Sequence, residues 1–217
     1  MIDLLLAGGP FMFATLSVSL VTVSISIWRV IVLWGRNASR TSLLGEVLGY
    51  TEERSYEKAL SLCATTKSAL SNILGAALRR ADRSEREIRR AVEAVALEEV
   101  PRVKSGTVFL PQLSNLATLF GLIGTIHGLI VAFRGAGAEN AATRQAVLSQ
   151  GIAIAFYNTF FGLTVATLSV VLYLVLIAKT NAVLAFIEQS AARVIDSIIW
   201  HREDHGEAHP VARAAGR

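Results

Sequence analysis

Residues 105–133 read SGTVFLPQLSNLATLFGLIGTIHGLIVAF, twenty-nine consecutive positions without Asp, Glu, Lys or Arg. Roughly 20 apolar residues in a helix cross the hydrocarbon core of a bilayer, so this stretch is long enough to span one. Residues 4–28, which contain FMFATLSVSLVTVSISIW, and residues 145–178 share the property. The whole chain agrees, because 53% of its 217 residues are hydrophobic and 18% are charged, against about a quarter charged in ordinary soluble domains. The alternating apolar and hydroxyl residues of 11–28 also fit a strand by periodicity. An isolated strand in lipid leaves its backbone groups unpaired, whereas a helix pairs them internally and lets Ser and Thr bond back to it. The sequence therefore reads as an all-α integral membrane protein with three transmembrane helices, and a water-soluble monomer is excluded.

The expected organisation is an external N-terminus (1–10), a first span (11–34), a cytoplasmic helical region (35–104), a second span (105–133), a short external loop (134–145), a third span (146–178) and a cytoplasmic extension with tail (179–217). Orientation follows from Lys and Arg, which number none before the first span, thirteen from 35 to 104, two at Arg134 and Arg144, and five from Lys179 onward. Basic loops stay in the cytoplasm. No Lys or Arg precedes Arg29, so the first segment lacks the basic start of a cleaved signal peptide and is expected to remain as an anchor. Arg29, flanked by Trp28 and Trp34, reads as a snorkelling interfacial anchor.

The 35–104 region carries thirteen bases and ten acids. Within it Ile88, Val92 and Val95 recur at helical spacing, and Ser84 with Glu87 forms a capping-box pattern. The arginines from Arg79 to Arg90 alternate with Glu, which reads as a solvated face in preference to a lipid or partner site. The third hydrophobic segment is longer than a bilayer requires, so the second and third helices are expected to be long and to extend into the cytoplasm, with NAVLAFIEQSAARVIDSIIW (181–200) continuing the third and EDHGEAHPVARAAGR as a frayed tail. Lone Cys63 supports neither a disulfide framework nor a thiolate metal site, and His201, His205 and His209 form no recognisable metal cluster. No cofactor, metal or nucleic acid is expected.

Two spans carry a small, polar stripe at three-and-four spacing. On the second it reads Ser114, Thr118, Gly121, Thr125, Gly128 and Ala132, and on the third Gly151, Ala155, Asn158, Gly162, Ala166 and Ser169, with Thr159 beside Asn158. Close packing accounts for Gly121, Gly124, Gly128, Gly151 and Gly162, since small residues let helix backbones approach and Gly124 with Gly128 is a GxxxG pair. Polar side chains within a membrane face a bundle interior, a partner or water, which makes Ser114, Thr118, Thr125, Asn158 and Thr159 candidates for an ion pathway. His127 is the one side chain in the spans that titrates near neutral pH. It lies roughly 160° around the helix from Thr125, at about 100° per residue, so packing against a neighbouring helix is favoured over proton relay. The spans offer no mid-membrane carboxylate, and a pathway through them asks for an ionisable partner.

These residues resemble the MotA/TolQ/ExbB proton-channel family. GLIGTI at 121–126 is similar to its glycine-rich stretch, GIAIAFYNTFFGL at 151–163 to its third-span motif, and the three-span layout is closest to ExbB and TolQ. The resemblance places the family's pore threonines on Thr125 and Thr159 and its intramembrane glutamate on Ile154, where the carboxylate is absent. The usual proline falls on Thr118. It implies a homopentamer in the bacterial inner membrane, with helices two and three lining a pore around single-span ExbD-, TolR- or MotB-like subunits that carry a membrane aspartate. It also implies that proton motive force is converted into transport, envelope or motility work. A structural membrane scaffold, with stripes serving packing alone, is the alternative. A membrane enzyme is set aside because no paired carboxylates, activated nucleophile or metal motif lies in or beside the spans.

Overall fold

Helices begin and end in the computed structural model where capping and backbone chemistry allow. It describes residues 9–35, 37–135, 137 and 140–203; most of the expected external N-terminus, part of the short loop and nearly all of the expected tail lie outside the described residues. α1 (Pro10–Trp34) opens on a proline, whose missing N–H has no intrahelical partner at that position anyway. α2 (Asn37–Glu52), α3 (Tyr56–Thr65), α4 (Ala69–Leu78) and α5 (Glu85–Lys104) follow. A 3-10 turn (Thr107–Phe109) leads into α6 (Leu110–Gly135), and α7 runs from Ala141 to Glu203. Among the described residues three helical segments are long and apolar enough to cross a membrane, 10–34, 107–135 and 141–202.

Two boundaries differ from the sequence reading. α7 starts at Ala141, inside the expected loop, because Asn140 caps it by accepting the Ala142 N–H through Oδ1 at 2.9 Å, and no Gly or Pro interrupts 141–150. It then runs unbroken for 63 residues through Lys179. The second span, by contrast, is not continuous with the helix before it. Pro101 sits in the last turn of α5, and Gly106 turns the backbone to φ +82°, a region that L side chains rarely adopt.

The chain divides into two units, residues 1–31 with 106–178 and residues 32–105 with 179–217. In the first, α1 buries Met12, Thr15, Thr22, Ser26 and Arg29 while Leu20, Ile27 and Ile31 stay exposed. Its polar stripe faces inward, as expected of a helix whose outer face meets lipid tails. Thr15, Ser17, Thr22, Ser24 and Ser26 each donate to the carbonyl four residues back, so the hydroxyls are satisfied without a partner helix. The three spans meet where Val18 and Phe161 pack on Ala117, Val165 and Ala166.

The second unit is built around a helical core. α2 packs on α3, α3 on α4 and α4 on α5. Val47, Ala59, Leu70, Ile73, Leu74 and Ile88 are buried there, together with Leu184, Ile187, Ala191, Val194, Ile195 and Ile198 of α7. Each large aliphatic side chain so buried contributes about 1.5–3 kcal/mol. The capping pattern at Ser84 starts α5, the Glu87 carboxylate accepting the Ser84 N–H at 3.3 Å. Buried Glu99 is held by Asn72 Nδ2 at 2.9 Å and Arg102 at 2.8 Å, which offsets the cost of removing its charge from water. Cys63 is buried on α3, and burial pushes its thiol up to about 11.

Candidate functional site

A seam of mostly small residues joins α6 to α7. Ser114, Ala117, Gly121, Gly124, Gly128 and Ala132 are buried on α6, and Gly151, Ala155, Asn158, Gly162 and Ala166 on α7. A methyl group on Gly128 would stand 2.5 Å from the Ala155 nitrogen, one on Gly151 2.4 Å from the Ala132 nitrogen, and one on Gly162 2.8 Å from the Gly121 Cα. Those neighbours are backbone atoms and cannot rotate away. Where hydrocarbon surrounds both helices, this close approach supplies the dispersion contacts that water would otherwise enforce by hydrophobic burial.

The polar members of the stripe separate into two groups. Ser114 lies in the seam and donates across it to the Ala166 carbonyl at 3.0 Å. Asn158 is 1% exposed, fills the space that Gly124 leaves, and donates through Nδ2 to the Ile154 carbonyl at 2.9 Å. Ile154, where the sequence resemblance places the family glutamate, therefore lies one turn from an amide that reaches back to its backbone. Thr118, Thr125 and Thr159 lie outside this closest contact. Thr118 is exposed, Thr125 and Thr159 are half-buried, and each hydroxyl donates to its own helix, to Ser114, Leu122 and Ala155 respectively. The six-residue stripe on α6 is thus not one face: Ser114, Gly121, Gly128 and Ala132 form the contact, whereas Thr118 and Thr125 flank it.

Two groups behave differently from the sequence reading or beyond it. Arg29 does not snorkel into solvent. It is 2% exposed, its Nε donates to Thr107 Oγ1 at 2.9 Å, and the Trp28 ring lies 6.0 Å away. Gly106 admits this arrangement, since a Cβ there would lie 3.0 Å from Arg29 Cδ and 3.1 Å from Trp28 Cζ3. Seventy-eight positions separate Arg29 from Thr107, and no local pattern connects them. His127 packs at the first turn of α1, its ring 5.5 Å from that of Phe11 and tilted by 58°. Its Nδ1 is buried and has no hydrogen-bond partner among the described residues.

Comparison with known proteins gives a consistent picture. Residues 65–189 match the MotA/TolQ/ExbB proton channel family. A biopolymer transport protein ExbB homolog of Methanothermobacter thermautotrophicus is 30% identical over 141 residues, 64% of this chain and 50% of that protein. Biopolymer transport protein ExbB-like 1 of Synechocystis is 30% identical over 184 residues, 82% of this chain and 71% of the relative. The Tol-Pal system protein TolQ of Haemophilus influenzae is 32% identical over 121 residues, 55% and 51% of the two chains. The chain spans about half the length of the first and third of these relatives.

Gly151→Ala is expected to lower the stability of the detergent-solubilised protein by about 1–3 kcal/mol, because the added methyl meets backbone and the helices must part. Gly137→Ala, with open space around it, should stay within about 0.5 kcal/mol of wild type. Thermal unfolding of both variants checks the contrast, and equal Tm values would remove the seam's steric role. His127→Leu removes a buried nitrogen without a partner and keeps an apolar contact for Phe11, so stability should change by less than about 1 kcal/mol. A His127→Leu protein that is stable yet inactive in proton-dependent work would give His127 a titrating role.

Proposed function

The chain belongs to the MotA/TolQ/ExbB proton channel family, and from that premise we propose that it is the pore-forming, multi-pass subunit of a proton-motive-force-driven complex of the bacterial inner membrane. Five copies surround single-span subunits of the ExbD, TolR or MotB kind, which perform transport, envelope or motility work. The observation that carries this reading is a chemical shortage. The charge-free runs of α6 and α7 hold hydroxyls but no carboxylate, and Ile154 stands where the family glutamate falls. A carboxylate to carry the proton is then supplied by a partner helix with a membrane aspartate. Thr118, Thr125 and Thr159 remain outside the closest α6–α7 contact, so their hydroxyls can turn toward water or a partner carboxylate, each such bond contributing on the order of 1 kcal/mol.

A second reading, a scaffold without ion conduction, draws on the placement of Ser114 and Asn158 inside the α6–α7 contact, where packing alone accounts for them. Thr125→Val and Thr159→Val separate the two readings, because valine keeps the shape and removes the hydroxyl. Proton flux is measured with the aspartate-bearing partner co-reconstituted. We expect both variants to assemble normally and to lose most of the flux, and full flux in both would favour the scaffold.

Orientation follows the basic loops, with the N-terminus outside and residues 35–104 and the tail inside. Cys63 gives a silent background for cysteine labelling, since a buried thiol held near 11 carries little thiolate at neutral pH. An impermeant maleimide applied to intact spheroplasts should label Asn140→Cys and spare Ser84→Cys. The reverse pattern would invert the topology.

A further inference from the structure

The second unit has an open cavity of about 340 Å³ lined by Arg40 and Thr41 of α2 and by Lys179, Ala182, Val183 and Phe186 of α7. Its volume is within the range of small-molecule sites. Among the described residues the lining combines two cations and a hydroxyl with three apolar side chains. Two sequence landmarks fix its depth. Lys179 is the first charge after the third charge-free run, and Trp34 ends α1. The Lys179 ammonium lies 5.3 Å over the Trp34 ring, an aromatic and cation pairing typical of the layer where lipid headgroups meet water. A cavity placed there faces a phosphodiester more readily than a soluble metabolite. The cations match the phosphate charge, Thr41 supplies a hydrogen bond, and the Ala182, Val183 and Phe186 wall matches the glycerol and first methylenes of an acyl chain.

We propose that this cavity binds the headgroup of an anionic glycerophospholipid. The cytoplasmic leaflet is the anionic one, and a basic residue near its surface gains about fivefold in affinity, so two cations in one cleft select anionic over zwitterionic lipid. The site would also tie the start of α2 to α7 where both leave the bilayer. The leaflet assignment rests on the orientation given under Proposed function, but the chemistry does not. The test below is run in detergent, where orientation is absent, so its failure and that of the labelling experiment are distinguishable.

The full-length chain in non-ionic detergent is incubated with equimolar phosphatidylglycerol and phosphatidylcholine, and the lipid retained after gel filtration is quantified. Wild type should retain phosphatidylglycerol preferentially. Arg40→Gln and Lys179→Gln should each lower that preference about fivefold, and the double variant by more. Lys179→Arg, which keeps the charge, and Arg193→Gln, which removes an exposed cation elsewhere on α7, should leave it intact. If the double variant does not assemble, the two single variants carry the test. An unchanged preference in the Arg40 and Lys179 variants overturns the proposal, as does an equal loss in Arg193→Gln. Loss of the preference when millimolar inorganic phosphate is added assigns the cavity to a soluble anion and overturns the lipid reading.

Discussion

How closely α6 and α7 approach is set by hydrogen atoms where other residues have methyl groups. At Gly128 and Gly151 the facing atoms are backbone nitrogen and α-carbon at 2.4 to 2.8 Å from any added Cβ, so no rotamer change relieves the clash. In hydrocarbon there is no water to drive the helices together, and attraction must come from contact itself. A seam of glycine and alanine gives the largest contact for the least volume. The remaining arrangement of the spans follows from it, because the side chains that do not fit the seam must go elsewhere.

Those side chains divide by shape and chemistry. Ser114 and Asn158 are compact enough to stay in the contact and bond there, one across it and one to its own helix. Leu119, Leu122, Ile126, Phe133, Phe156 and Phe160 are left outward, where lipid or further subunits receive them. α1 shows a similar division, with Thr15, Thr22 and Ser26 buried and Leu20, Ile27 and Ile31 exposed. Because its Ser and Thr groups bond back to their own carbonyls, this inward polarity requires no matching partner.

Charge is confined to the margins of the spans and is handled there by specific geometry. Arg29 is accommodated by a glycine at positive φ and a threonine hydroxyl, and Lys179 by an indole face. In the second unit the buried Glu99 is matched by an amide and a guanidinium. α7 contributes to both units as one unbroken helix, with exposed aliphatics in its first part and a buried stripe from Val183 to Ile198 in its second.

The three spans, the helical region between them, the capping of α5 at Ser84 and the continuation of the third helix past Lys179 could all be read from the sequence. Length without charge, capping pairs and helical periodicity are local properties. The glycine positions were also legible, because small residues at three-and-four spacing have few other uses in a membrane. What the sequence left open was the division of the polar stripe. Thr118 and Thr125 fall within the same spacing as Ser114 and Gly121, and only the close approach of the α7 backbone decides that the seam takes Ser114, Ala117, Gly121 and Gly124 and leaves the threonines beside it. Arg29 shows the same limit. Its neighbours Trp28 and Trp34 suggested an exposed anchor, but its partner is Thr107, far along the chain. Periodicity fixes which residues share a face of one helix; the close approach of another backbone selects which of them are enclosed, and that depends on both helices at once.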